Sequence, residues 1–232
     1  LTLSLALLAT SAGAQAPMDC EGPKRRIAVM KFGSTAKLGL YEGYDVGEAL
    51  AAQLTTALQH SGCFIVTERL ELNWLTLDDA PLMLAIWNDP AFIRFVGDRG
   101  VRTIEEAETS MRDGALQLYS SYGYGPFRVT RIEDAADMGI CGLFRRDGLD
   151  EPDVGFALLP EYCGKGFGFE SSRAVLDHAR DTLQLPAVTA IVSAENGASI
   201  GLLEKLGLYF DSVMRLPGED SDVRLYRIEF GT

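Results

Sequence analysis

The stretch that most constrains the fold is DVGFALLPEYCGKGFGFESSRAVLDHA, residues 153–179. An apolar strand is predicted over residues 154–159, followed by a loop with three alternating glycines and a helix that begins near Phe169. Glycine permits positive φ and lets the backbone approach a ligand closely. The unpaired N–H groups and the dipole at a helix start favour an anion. The stretch therefore predicts a cradle for a pyrophosphate group.

The glycine spacing within this loop distinguishes between three kinds of nucleotide-binding site. A P-loop requires Gly-Lys-Ser/Thr, but Gly164-Lys165 is followed by Gly166. A dinucleotide fingerprint requires G-x-G-x-x-G, whereas the spacing here is G-x-G-x-G. Residues 163–168 instead resemble the Q/R-x-x-G-x-G/A loop of the GNAT acetyltransferases, with Cys163 in place of Gln or Arg. The wider sequence LLPEYCGKGFGFESSRAVL is similar to the branch that includes ribosomal-protein N-terminal acetyltransferases.

A second motif lies at residues 196–208, where NGAS precedes IGLLEKLGL. It matches the N-x-x-S-x-x-L-x-E-K-x-G-F ending of the same family, with Leu208 in the usual Phe position. Asn196 is expected to cap a helix, and Gly207 is expected to close that helix in the left-handed conformation. With both motifs in the family's order, residues 67–232 are identified as a GNAT domain.

The resemblance implies an α+β fold, in which helices flank a mixed, mostly antiparallel sheet whose central strands splay apart. The co-substrate would be acetyl-CoA, with its pantetheine between the splayed strands and its pyrophosphate at the glycine loop. The residues implied to bind it are Phe156, Ala157, Leu158, Cys163, Gly164, Lys165, Gly166, Phe167, Gly168, Phe169, Asn196 and Ser199.

Local patterns predict the remaining elements of this domain. Thr76 and Thr103 each precede an acid by three residues, a capping-box pattern that predicts helices at about 77–88 and 104–119. A hairpin is expected from residues 127–133 and 138–144, and a further strand over 187–193. We expect the acceptor pocket to be built from residues 87–101 and 119–127.

In the family an amine attacks the thioester directly, which requires a proton acceptor and a donor for the leaving thiolate. Asp153 stands where the branch that this sequence resembles commonly carries an acidic residue on the central strand, so it is a candidate base. The alternative is that Asp153 is a solvated carboxylate at the strand edge. Ser199 is a candidate to assist the thiol, the alternative being a helix cap. The tyrosine that many family members use as acid is replaced by Leu203.

The cysteines do not indicate a metal or a covalent intermediate. Cys20, Cys63, Cys141 and Cys163 lack C-x-x-C spacing, so no zinc site is predicted. Cys163 has no evident histidine partner for nucleophilic catalysis.

Residues 1–16, LTLSLALLATSAGAQA, are typical of a secretory signal h-region with an Ala-x-Ala cleavage site, the alternative being a buried apolar helix. The segment is too short to span a bilayer, so no stable membrane insertion is predicted. Residues 25–69 predict a strand, a helix and a strand, and they resemble the start of the curli-secretion lipoprotein family, especially at YDVG and SGCFIVTER.

We therefore divide the chain into a signal-like segment (1–16), a truncated βαβ segment (17–66) and the GNAT domain (67–232). Both resemblances share the string TERLEL at residues 67–72, which marks the seam of a fusion. We expect the βαβ segment to be loosely docked and protease-sensitive. The alternative is that its apolar face packs against the GNAT domain or against a second copy of the chain in a homodimer. Only five of the 21 basic and five of the 33 acidic residues precede residue 67, so the net charge of −12 lies in the GNAT domain. That charge disfavours nucleic acid as a partner.

The first hypothesis is an acetyl-CoA-dependent N-acetyltransferase that acts on a small amine or a protein N-terminus. The second is a secreted or envelope interaction protein whose acetyltransferase-like domain is inactive. Acetyl-CoA is a cytoplasmic metabolite, which favours a cytoplasmic enzyme, whereas the signal-like segment favours export.

Overall fold

The computed structural model describes residues 64–231, which form a single eight-stranded sheet with helices on both faces. The strands are β1 (Phe64–Val66), β2 (Leu70–Trp74), β3 (Pro126–Arg131), β4 (Asp137–Phe144), β5 (Asp153–Leu158), β6 (Ala187–Val192), β7 (Tyr209–Met214) and β8 (Val223–Glu229). The helices are α1 (Ala80–Trp87), α2 (Pro90–Phe95), α3 (Ile104–Asp113), α4 (Ala115–Tyr122), α5 (Phe167–Asp181) and α6 (Gly197–Leu206). The signal-like segment and most of the predicted βαβ segment lie outside the described residues.

The strand order across the sheet is β1-β2-β3-β4-β5-β6-β8-β7. Neighbouring strands are antiparallel except β5 and β6, which are parallel. The predicted mixed, mostly antiparallel sheet is therefore confirmed. The strand predicted over residues 64–67 is β1, and it pairs with β2 at the edge of this same sheet.

Capping residues define several helix starts. At α3 the Thr103 hydroxyl accepts a hydrogen bond from the Glu106 N–H at 3.2 Å, and the Glu106 carboxylate accepts one from the Thr103 N–H at 3.1 Å. The helix predicted over 104–119 is interrupted at Gly114, whose φ of −123° and ψ of −93° lie outside the helical region. Because the chain turns there, α3 and α4 are separate helices.

Two apolar cores hold the helices against opposite faces of the sheet. One core joins β2, β3 and β4 to α5 and α6, with Leu72, Val129, Leu143, Val175 and Leu206 among its buried members. The other joins β4 to α1 and α3, with Ile140, Met83, Ile86, Ala107 and Met111 among its buried members. None of the helices in the described part of the chain has the length and apolar character needed to cross a membrane.

Candidate active site

The two central strands pair at one register point within the described residues. Asp153 on β5 lies opposite Thr189 on β6, and the Thr189 N–H donates to the carbonyl of Pro152 at 2.9 Å. Beyond that point β5 stays paired with β4 as far as Leu158, while β6 pairs with β8. Residues 155–158 of β5 therefore have no strand partner on the side that faces β6. The inner edge of β5 is open to an extended ligand that adds to the sheet like a strand.

The glycine loop connects this open edge to the start of α5. Gly164 and Gly166 have φ of 72° and 87°, in the left-handed region that glycine adopts without strain. The first hydrogen bond of α5 runs from the Glu170 N–H to the Gly166 carbonyl at 3.0 Å. The N–H groups of residues 164–169, in the end of the loop and the first turn of α5, therefore lie before the helical ladder and are available to a ligand. The dipole of a 15-residue helix adds to their preference for an anion.

Gly168 sits where β5, α5 and α6 converge. A Cβ at this position would lie 3.2 Å from Leu202 Cδ1, 3.8 Å from Leu158 Cδ1 and 3.9 Å from Phe156 Cδ2. The absence of a side chain lets the first turn of α5 approach the strand closely.

The other loop side chains implied to bind the co-substrate have different environments. Cys163 and Lys165 are exposed, Phe167 is buried, and Phe169 is half-buried with the Lys205 ammonium 4.8 Å from its ring centroid. The Cys163 Sγ lies 3.6 Å from the carbonyl oxygen of Leu158. Desolvation raises the pKa of this thiol, and nearby carboxylates raise it further, so it does not have the character of a thiolate nucleophile.

Asp153 is buried at the start of the open strand, with 1% of its surface exposed. Its Oδ2 accepts a hydrogen bond from Arg146 Nε at 2.8 Å, whereas its Oδ1 accepts none from any described residue. Burial raises the pKa of Asp153, and the positive charge of Arg146 opposes that increase. The alternative of a solvated strand-edge carboxylate does not describe this environment.

Ser199 lies in the first turn of α6, beyond the carboxyl end of β6. The residue that caps this helix is Asn196, whose side-chain oxygen accepts a hydrogen bond from the Ser199 N–H at 3.1 Å. Ser199 is half-buried, and its hydroxyl makes no hydrogen bond with another described residue. Gly207, with φ of 96°, closes the helix in the predicted left-handed conformation.

Residues 69–209, more than half of the chain, match the family model described as the acetyltransferase (GNAT) domain. The chain belongs to the GNAT acetyltransferases. It is therefore an acyltransferase, as the two sequence motifs predicted.

Relatives and solved structures agree with this assignment. The GNAT chain is 26% identical over 155 residues to an uncharacterized N-acetyltransferase, p20, from Bacillus licheniformis, covering 65% of this chain and 85% of the relative. An acetyltransferase structure from Agrobacterium tumefaciens has a TM-score of 0.62 at 24% identity, over 72% of this chain and 94% of that one. RimL, a ribosomal L7/L12 alpha-N-protein acetyltransferase solved with coenzyme A, has a TM-score of 0.62 at 18% identity, over 72% and 97%. The two structures share the fold of this chain.

A second family model matches the first part of the chain. Residues 10–80 match the model described as the curli production assembly/transport component CsgG. Both resemblances found in the sequence are therefore confirmed. The two family matches share residues 69–80, a stretch that contains β2.

The inner edge of β5 and the glycine loop fit acetyl-CoA. The free inner edge of β5 would hold the two amides of pantetheine, and the glycine loop would hold the pyrophosphate. Sequence reasoning missed Arg146, the partner of Asp153, because a charged loop gives no signal of which side chain turns inward. It also missed the contact between Arg69 and Glu170, which joins the string TERLEL to the first turn of α5.

Proposed function

We propose that this protein is an N-acetyltransferase that moves the acetyl group of acetyl-CoA directly to a primary amine, on a small molecule or on a protein N-terminus. The observation that carries the proposal is the open inner edge of β5, which the turn at Pro160–Tyr162 connects to the glycine loop at the start of α5. An unpaired strand edge inside a sheet leaves backbone groups without partners, and a pantetheine chain would satisfy them.

When bound, acetyl-CoA supplies a thioester whose carbonyl carbon is open to attack by an amine. Asp153 takes the proton from the attacking nitrogen, either directly or through one water molecule. Its free Oδ1 and its raised pKa suit that role, because a general base works best when its pKa lies near the operating pH. Arg146 holds the other oxygen and keeps the carboxylate oriented.

The Ser199 hydroxyl is proposed to donate a proton to the thiolate sulfur as the carbon–sulfur bond breaks. Since Asn196 caps α6, the hydroxyl is not needed for capping. Its place at a helix N-terminus also favours negative charge on the leaving sulfur.

We propose that the acceptor binds on the α1–α3 side of the sheet. An open cavity of about 460 Å³ lies between the segment that precedes α3 and the first turns of α3. Its lining comprises Arg99, Val101, Glu105, Glu106, Thr109 and Ser110. Loss of hydration lowers the pKa of Arg99, and the charge of Arg146 lowers it further. The two carboxylates of the lining outnumber its one guanidinium, which favours an acceptor that carries an ammonium group.

The test combines binding and turnover. Acetyl-CoA is titrated calorimetrically into the full chain, and release of free thiol is then followed with two classes of acceptor: spermidine and peptides with a free N-terminus. These classes are chosen because solved structures with this fold include acetyltransferases named for spermidine and for a ribosomal protein.

Binding of acetyl-CoA with thiol release that depends on an amine would support the proposal. Absence of heat at millimolar acetyl-CoA would overturn it in favour of an inactive, interaction-only domain. Release of thiol with a hydroxyl acceptor but with no amine would overturn the choice of acceptor.

A further inference from the structure

A cluster of hydrogen bonds ties the turn before β2 to the first turn of α5. Glu170 Oε1 accepts hydrogen bonds from the Thr67 hydroxyl at 2.6 Å and from the Arg69 N–H at 3.0 Å. Glu170 Oε2 accepts one from Arg69 Nε at 2.7 Å and lies 2.5 Å from Arg69 Nη2. Both carboxylate oxygens are thus engaged by residues about 100 positions earlier in the chain.

The Arg69 guanidinium lies directly beside the glycine loop. A Cβ built on Gly166 would stand 3.6 Å from Arg69 Nη2, and the Arg69 Cζ lies 4.8 Å from the centroid of the Phe167 ring. The Arg69 side chain is 48% exposed, so part of it is accessible to a ligand from solvent. Its Nη1 group makes no hydrogen bond with another described residue, which leaves two N–H donors unused.

The charges at this point require an explanation. Glu170 is the acidic residue in the first turn of α5, and its negative charge would repel a phosphate bound at the same helix end. Arg69 neutralises that charge and adds donors in a planar fork, the geometry that matches phosphate oxygens. The pair therefore converts a repulsive position into one that accepts an anion.

We propose that Arg69 is a further binding residue for acetyl-CoA, one whose free Nη1 edge donates hydrogen bonds to phosphate oxygens of the nucleotide half of the co-substrate. The inference rests on the proposed function, because it needs acetyl-CoA at the glycine loop. It gives the TERL string a role in ligand binding, although that string lies about 100 positions before the loop in the sequence.

The test compares Arg69→Ala with Arg180→Ala, a control near the other end of α5. Arg180 is 47% exposed and is paired with Asp181 and Asp177, so it matches Arg69 in exposure and ion pairing. The full chain and both variants are titrated with acetyl-CoA, with 3′-dephospho-CoA, and with S-acetyl-pantetheine, which carries no phosphate. Melting temperatures are recorded in parallel.

Arg69→Ala is expected to weaken acetyl-CoA binding by about tenfold or more, the loss expected for charge-assisted hydrogen bonds. Binding of S-acetyl-pantetheine should stay unchanged, and Arg180→Ala should bind both ligands like the wild type. If the preference for acetyl-CoA over the 3′-dephospho ligand disappears in Arg69→Ala, the contact is to the 3′-phosphate. If that preference persists, the contact is to the pyrophosphate.

Equal weakening for the ligands with and without phosphate would overturn the inference and make Arg69 a purely structural brace. Unchanged acetyl-CoA binding would also overturn it. If Arg69→Ala does not fold, Arg69→Gln keeps a donor toward Glu170 without the positive charge and must show the same selective loss. A wild-type chain that does not bind acetyl-CoA would instead refute the proposed function itself.

Discussion

Asp153 and Thr189 lie opposite each other on the two central strands, at the register point from which those strands part. The buried carboxylate and the open edge of β5 therefore begin at the same place in the sheet. A ligand laid along that edge, with its phosphates at the glycine loop, would extend along β5 toward Asp153. This relationship connects the candidate base to the candidate co-substrate site within one six-residue strand.

Replacing Asp153 by Asn should lower kcat about 100-fold or more, the usual contribution of a general base. The amide is close in shape but cannot accept the proton, so the dissociation constant of acetyl-CoA should stay unchanged. Steady-state kinetics and calorimetry on the same variant measure both quantities. Asp150→Asn, an exposed acid in the preceding loop, is the matched control and should behave like the wild type. Wild-type kcat in Asp153→Asn would remove this residue from catalysis.

The pH dependence should report the interaction between Asp153 and Arg146. The base works only when ionised, so activity should rise as pH increases through the Asp153 pKa. Burial raises that pKa and Arg146 lowers it, so Arg146→Ala should raise it further and move the acidic limb of the profile to higher pH. Profiles of kcat/KM against pH test this directly. An acidic limb that stays in place, or one that shifts to lower pH, would contradict the assignment.

Variants of Ser199 and Asn196 should distinguish a catalytic role from a role in helix capping. Ser199→Ala is expected to reduce kcat about tenfold with little change in the melting temperature, because the hydroxyl does not cap α6. Asn196→Ala should instead cost about 1 kcal/mol in the free energy of unfolding, since it removes the capping side chain. Thermal melts and kinetics on both variants are the measurements. A large loss of stability in Ser199→Ala with normal kcat would reverse the two roles.

Replacing Gly166 by Glu should abolish acetyl-CoA binding while the domain still folds. The added carboxylate would occupy the phosphate position and repel the ligand. Because φ is 87° at this residue, the substitution also strains the backbone by about 1–2 kcal/mol. Gly218→Glu is the control for that strain, since Gly218 has φ of 81° with open space around it. A folded Gly166→Glu variant with normal affinity would show that the loop does not bind the pyrophosphate.

The folding and acetyl-CoA binding of shortened chains should show where the GNAT domain begins. A chain that begins near residue 63 keeps β1 and β2 and should bind acetyl-CoA like the full chain. A chain that begins near Leu77 loses both strands, including the fully buried Leu70 and Leu72, and should not fold stably. Thermal melts and calorimetry of the two chains provide the test. Loss of binding in the chain that begins near residue 63 would show that earlier residues belong to the domain.

The sequence by itself determined the family, the strand, loop and helix around the glycines, and the caps of α3 and α6. Each of these depends on residues close together in the chain. Gly164, Gly166 and Gly207 were identified by their type because only glycine adopts positive φ without strain. Thr103 and Glu106 were recognised because a capping box has a fixed spacing. The predicted helix over 104–119 was wrong in its continuity, because Gly114 alone does not reveal whether a helix bends or stops.

Only the tertiary structure decided the environment of the candidate catalytic residues. No pattern in the sequence shows that Asp153 is buried, because burial depends on how β4, β5 and the loop that carries Arg146 pack together. Nor does any spacing join Arg69 to Glu170, which lie 101 positions apart and meet because β2 and α5 are brought together. Long-range contacts of this kind depend on sheet register and helix packing. Local propensity can place each residue on its element, but it cannot select the partner across the fold.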